Sequence, residues 1–120
     1  MRELLAVMKA LADENRLRIV AALQGRELCL CQIVELLGLA TSTVSRHASI
    51  LEQARLIQSR KQGRWTYFSI DEDAPPHAYD AAALVIRTLK GDSRARKDAK
   101  RLRQVLKLDP EILCKRQTRG

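Results

Sequence analysis

Cys29 and Cys31 stand two residues apart, and a third cysteine, Cys114, lies near the other end of the chain. Thiolates are soft ligands that select soft or borderline ions, and a nearby helix N-terminus favours the deprotonated sulfur. Residues two apart on an ideal helix point about 200° away from each other. Binding of one small ion by both sulfurs is therefore expected to distort the start of the helix that carries them. A second group, Ser42, Thr43, Ser45, Arg46 and His47, offers small hydrogen-bonding side chains and one guanidinium, the chemistry that reads base edges in a major groove. A third group, Arg60, Lys61 and Arg64, offers cations to phosphates.

The spacing of apolar residues predicts the elements that position these groups. Leu4, Leu5, Met8, Leu11 and Ala12 form one face of a first helix over residues 3 to 12. Asp13 caps a second helix in which Leu17, Val20, Ala21 and Leu23 turn inward, with Arg16 and Arg18 on its exposed face and Gly25 as its stop. A third helix spans about Cys31 to Leu37, ended by Gly38 in a left-handed conformation. A fourth follows to about Gln53, capped by Thr41 or Ser42, with Val44, Ile50 and Leu51 inward. From Leu56 to Ile70 the pattern changes to β-branched and aromatic residues around Lys61-Gln62-Gly63-Arg64, which predicts a hairpin with a basic tip. Asp71 to Pro76 is a linker. Residues 78 to 90 form a fifth helix whose Ala81, Leu84, Val85 and Leu89 stripe suits dimer packing. Asp92 or Ser93 caps a basic helix to about Leu108, and Asp109-Pro110 opens a last helix holding Cys114.

Singly, a polar helix face is usually only solvated and a basic turn only soluble. Two short helices joined at a glycine turn, with a Ser/Thr-rich second helix and then a basic hairpin, occur here in the one order that lets all of them touch a duplex. The expected fold class is mainly α with a small β-hairpin, a winged helix-turn-helix, and the expected partner is double-stranded DNA.

Charge agrees without locating the surface. The 120 residues carry 22 Lys or Arg against 14 Asp or Glu, a net +8 that favours a polyanionic partner. Ten of the basic and four of the acidic residues fall in 91–120, so that stretch holds +6 of the +8. At 46% hydrophobic content the chain suits one compact core. The division expected is a DNA-binding and dimerisation domain over 1–90 and a basic helical extension over 91–120, where Arg94, Arg96, Lys97, Lys100, Arg101, Arg103 and Lys107 form a solvated face or add phosphate contacts. No apolar run reaches the ~20 residues of a membrane span and no signal core opens the chain, so a cytoplasmic protein without a membrane partner is expected. In that reducing compartment an odd number of cysteines reads as free thiols or metal ligands.

Leu11-Ala12-Asp13-Glu14-Asn15-Arg16-Leu17-Arg18-Ile19, Glu27-Leu28-Cys29-Leu30-Cys31, Ser42-Thr43-Val44-Ser45-Arg46-His47 and Gly63-Arg64-Trp65-Thr66-Tyr67 together resemble the ArsR/SmtB family of metalloregulatory repressors, over roughly residues 4 to 90. The resemblance implies a homodimer paired through its first and fifth helices that leaves its operator when an inducer binds. Cys29 and Cys31 match the family's E-L-C-V-C-D-L-C box, which implies arsenite or antimonite as inducer, held by thiolates and not as a structural cofactor. Gln32 replaces the usual Asp and Val34 the third cysteine. Three alternatives stay open for the missing ligand: Cys114 from the same or the partner chain, a small cellular thiol, or a site of two sulfurs. Arg55 stands where family members commonly have glycine, at a cost of ~1 kcal/mol if the position requires positive φ.

Zinc between the dimer helices, another mode of the family, is not expected, because His77 and Asp80 are the only candidates along residues 77 to 90. An enzyme is not expected either: two histidines in these places give neither a nucleophile with its base nor an open metal site. Two alternatives to the arsenic reading are a repressor switched by thiol oxidation and a small thiol metal carrier, although a carrier has no use for a wing.

Overall fold

The computed structural model describes residues 1–119. In chain order these form α1 (Arg2–Leu11), α2 (Glu14–Ala22), β1 (Leu28–Cys29), α3 (Leu30–Leu37), α4 (Thr41–Gln53), β2 (Ile57–Gln62), β3 (Trp65–Ile70), α5 (Pro76–Leu89), α6 (Ser93–Val105) and α7 (Pro110–Arg119). The Asp13 carboxylate accepts the backbone N–H of Arg16 at 3.1 Å and so opens α2 as predicted. Gly38 ends α3 at φ 70°, where its N–H reaches the Val34 carbonyl at 2.9 Å. Arg55, a non-glycine residue at positive φ, lies at 64° just after α4, so this turn is adopted at a backbone cost. Its guanidinium is tied down by Asp71 and by the Asp73 carbonyl.

The hairpin is antiparallel, with Ile57 opposite Ile70 and Gln62 opposite Trp65. Its partner β1 was not anticipated: Leu28 pairs with Phe68 and Cys29 with Tyr67, giving a three-stranded sheet in the order β1-β3-β2. Two residues are too short to show an alternation in sequence. The sheet therefore joins the wing to the start of α3, which begins at Leu30 rather than Cys31.

Val7, Ile19, Leu23, Ile33, Val44 and Leu51 form the centre of the core, and Leu102 and Val105 of α6 and Leu113 of α7 belong to the same buried cluster. These last three side chains tie 91–119 into the core, with α6 against α2 and α3 and α7 against α3, while Leu106 and Ile112 stay exposed. Leu4, Leu5 and Met8 point the other way and are 46, 50 and 55% exposed, while Val7 and Ala10 carry α1 onto the core. Leu84 of α5 is likewise exposed. Among the described residues no helix is long and apolar enough to cross a membrane.

Candidate DNA-reading surface and thiol site

Helix α4 is held by Val44, Ala48 and Leu51, which are buried. The 3.6-residue period therefore turns Ser42, Thr43, Ser45 and Arg46 outward, and all four are exposed. The cap differs from expectation. Ala40 occupies it in an extended conformation, and Thr41 and Ser42 lie inside the helix, which leaves their hydroxyls free of the capping role. His47 also differs from the other sequence-predicted contacts. It is half-buried, and its Nδ1 lies 3.1 Å from Nη1 of Arg16. Arg16 in turn donates to the Ala10 carbonyl at 2.6 Å and, more weakly, to that of Lys9. It thus straps the end of α1 to the middle of α4. Burial pushes the Asp13 carboxyl up, but the Arg16 N–H and the charges of Arg16 and His47 outweigh it and hold that group below its ordinary value.

The wing divides its three cations. Lys61 and Arg64 are exposed at the tip, where Gly63 takes φ 63°. Arg60 is engaged with Glu27: Nε and Nη2 donate to the two carboxylate oxygens at 2.7 and 2.6 Å, and the guanidinium lies 4.7 Å from the Tyr67 ring centroid. This bidentate bond holds the Glu27 carboxyl below its ordinary value and raises Arg60 above its own. Arg60 consequently joins the wing to the loop before β1, instead of standing ready for a phosphate.

Arg18, placed on an exposed face by the sequence pattern, is in fact buried. It forms a fork with Asp98 of α6 at 2.8 and 3.0 Å and a further bond to Asn15. Asp98 is 80 residues away, and only the return of α6 across α2 supplies this counterion. Sequence spacing carries no signal for such a pair.

The cysteines divide in a way that their spacing did not suggest. Cys29 is the N-cap of α3, extended at φ −79° and ψ 159°, 1% exposed, with its backbone N–H bonded to the Gln32 side chain at 2.9 Å. It is not on the helix, so the 200° separation does not describe the pair. Cys31, in the first turn of α3, is disulfide-bonded to Cys114 of α7 with Cα atoms 5.4 Å apart. The expectation of free thiols therefore fails for two of the three: α7 folds back onto α3 and brings distant sulfurs together. The Gln117 side chain secures the same contact by donating to the Cys31 carbonyl at 2.9 Å, and Arg101 bonds Glu35 of α3 at 2.9 Å. All three cysteines line one cavity of about 440 Å³. Its walls include Thr41, the first residue of α4, and Arg64 and Trp65 of the wing. Among the described residues no three His, Cys, Asp or Glu side chains form a ready metal-binding group.

An exposed polar helix after a glycine turn, flanked by a twisted hairpin, defines a winged helix-turn-helix protein. Comparison with known proteins agrees. Residues 13–59 match the profile of the bacterial regulatory protein, arsR family. The arsenic resistance transcriptional regulator ArsR1 of Pseudomonas putida is 36% identical over 80 residues, which cover 62% of each chain. An HTH-type transcriptional regulator of Methanocaldococcus jannaschii is 34% identical over 68 residues, 56% of this chain and 76% of that one. The solved homodimeric winged helix-turn-helix DNA-binding domain of a possible ArsR-family regulator from Mycobacterium bovis superposes with a TM-score of 0.61 at 26% identity, covering 72% of this chain and 75% of that one. The chain belongs to the arsR family of bacterial regulatory proteins. Its match to the Pseudomonas regulator covers less than two thirds of that protein's length.

Proposed function

We propose that this protein is a homodimeric transcriptional repressor that holds operator DNA through α4 and the wing and releases it when trivalent arsenic or antimony is bound by cysteine thiolates. Ser42, Thr43, Ser45 and Arg46 read base edges, and Lys61 and Arg64 hold phosphates. Arg60 and His47 serve by position, through Glu27 and Arg16. The exposed Leu4, Leu5 and Met8 of α1 and Leu84 of α5 form the apolar face that a second copy covers. The arsenic reading draws support from the Pseudomonas relative, and the observation that carries it is the meeting of Cys31 and Cys114 in the first turn of α3.

Reduced, these two thiols are a soft pair already in register. An ion bridging them lengthens the link between the sulfurs and so shifts α7 and the start of α3, which is the first helix of the helix-turn-helix. A ligand favouring the shifted arrangement lowers operator affinity, and DNA lowers ligand affinity by the same factor. No unwinding of α3 is needed, unlike the mechanism suggested by spacing alone. Cys29 lines the same cavity at 1% exposure, and a site completed within the protein would have to draw on it.

A labelled duplex from the protein's own upstream region, bound by the reduced full chain and titrated with arsenite, tests this. Cys31→Ser and Cys114→Ser should keep operator binding and raise the arsenite needed for release at least tenfold. Normal release from both variants would refute the assignment. The disulfide itself favours a second reading, in which oxidation is the signal; parallel titrations with peroxide, cadmium, zinc and copper(I) rank the two.

A further inference from the structure

Trivalent arsenic takes three ligands, and Cys31 with Cys114 supplies two. Beside this pair lies the cavity of about 440 Å³, which is large enough for a tripeptide-sized molecule. Cys31 and Cys114 are half-buried whereas Cys29 is 1% exposed, so the paired sulfurs are the ones a cavity occupant meets. The lining carries both signs of charge, Arg64 and Lys115 against Glu111, together with the apolar surfaces of Leu30 and Trp65. A purely inorganic ion uses none of this.

We propose that the cavity binds a small zwitterionic peptide thiol, which supplies the third sulfur to the arsenic and sets a carboxylate against Arg64 and its ammonium against Glu111. This inference rests on the reading of Cys31 and Cys114 as the inducer pair. The chemistry balances with the same ligand class as reductant. Two peptide thiols first reduce the Cys31–Cys114 bond: its two sulfurs leave as thiols and the two peptide sulfurs join as one disulfide. Arsenious acid then exchanges its three hydroxyls for the sulfurs of Cys31, Cys114 and one further peptide thiol, releasing three waters with no change in oxidation state.

The position of the cavity gives the occupant a direct hold on the DNA-reading surface. Thr41 begins α4, Trp65 and Thr66 begin β3, and Arg64 is one of the two exposed cations of the wing tip. A carboxylate paired with Arg64 competes with the phosphate that this residue would otherwise hold. Occupancy thereby weakens grip at the wing as well as at α3.

Native mass spectrometry of the reduced full chain with arsenite, in the presence of either glutathione or 2-mercaptoethanol, tests the proposal. The expected result is a one-to-one-to-one complex of protein, arsenic and glutathione that persists in Cys29→Ser. Arg64→Gln should bind the arsenic at unchanged stoichiometry and weaken glutathione roughly twofold to fivefold, the range for one exposed charge contact. Lys61→Gln, whose charge lies on the wing outside the cavity, should leave it unaltered. Equal retention of glutathione and 2-mercaptoethanol, or loss of the arsenic complex in Cys29→Ser, would overturn the proposal while leaving the inducer pair standing. Failure of arsenite to bind at all removes the underlying reading instead.

Discussion

Helix α4 and the C-terminal helices α6 and α7 all pack against the short helix α3, yet they are built on opposite principles. On α4 and the wing, the proposed contacts are side chains that the core leaves over: Val44, Ala48 and Leu51 face inward and the polar residues between them face out. On α6 and α7, chemistry depends on long-range partners. Arg18 meets Asp98 and Cys31 meets Cys114 only because the chain returns across α2 and α3. A face built on local periodicity keeps its fold when single positions change, whereas contacts built from distant pairs are lost with either partner.

The sharpest way to break this contrast is to attack the long-range side. Arg18→Ala leaves Asp98 largely buried, with the single 3.8 Å contact of Arg94 in place of the fork, so chemical denaturation should show a loss of about 3 kcal/mol. A loss below ~1 kcal/mol would mean that water replaces the partner and that the pair is not structural. Leu113→Ala removes a side chain that is 0% exposed where α7 meets the core, and about 2 to 4 kcal/mol should be lost in the same measurement. On the local side, Arg46→Ala should leave the unfolding midpoint within the usual range for a surface change and weaken operator binding by about 1 to 3 kcal/mol, relaxing preference at one base pair in a binding-site selection. Lys61→Gln should weaken binding to all sequences alike and lower the slope of log affinity against log salt by about one. An unaltered slope places Lys61 away from phosphate.

The smallest effect belongs to the bond joining wing and loop. Because the folded Glu27 carboxyl titrates below its ordinary 4.5, the Arg60 bond adds stability above that pH, and the increment is lost as pH falls through the lower folded value. Glu27→Gln should flatten that part of the melting profile between pH 5 and pH 3 by a small amount, about as expected for an exposed pair. A profile identical to that of the parent protein would show that the pair gives no net stability.

Periodicity made much of the fold legible before any coordinate. Asp13, Gly38, the Gly63 tip and the Asp109-Pro110 start of α7 all follow from local backbone chemistry, and the structure keeps each; the positive φ at Arg55 was raised only by the family resemblance. Local rules misjudged Arg18 because a charge is read as solvated unless a counterion is near in sequence, and Asp98 is not. They missed β1 because two residues carry no period, and they started α3 at about Cys31, one residue after its first, Leu30.

The candidate site divides along the same line. The outward set on α4 was visible because a helix alternates its faces within four residues, which is a property of the chain itself. Which sulfurs meet was not, since Cys29 and Cys31 are neighbours in sequence while the bonded partner of Cys31 is 83 residues away. Residue order determined the reading helix, the wing and the soft chemistry of the thiols. Only the folding back of α6 and α7, driven by burial of Leu102, Val105 and Leu113, decided where that chemistry gathers.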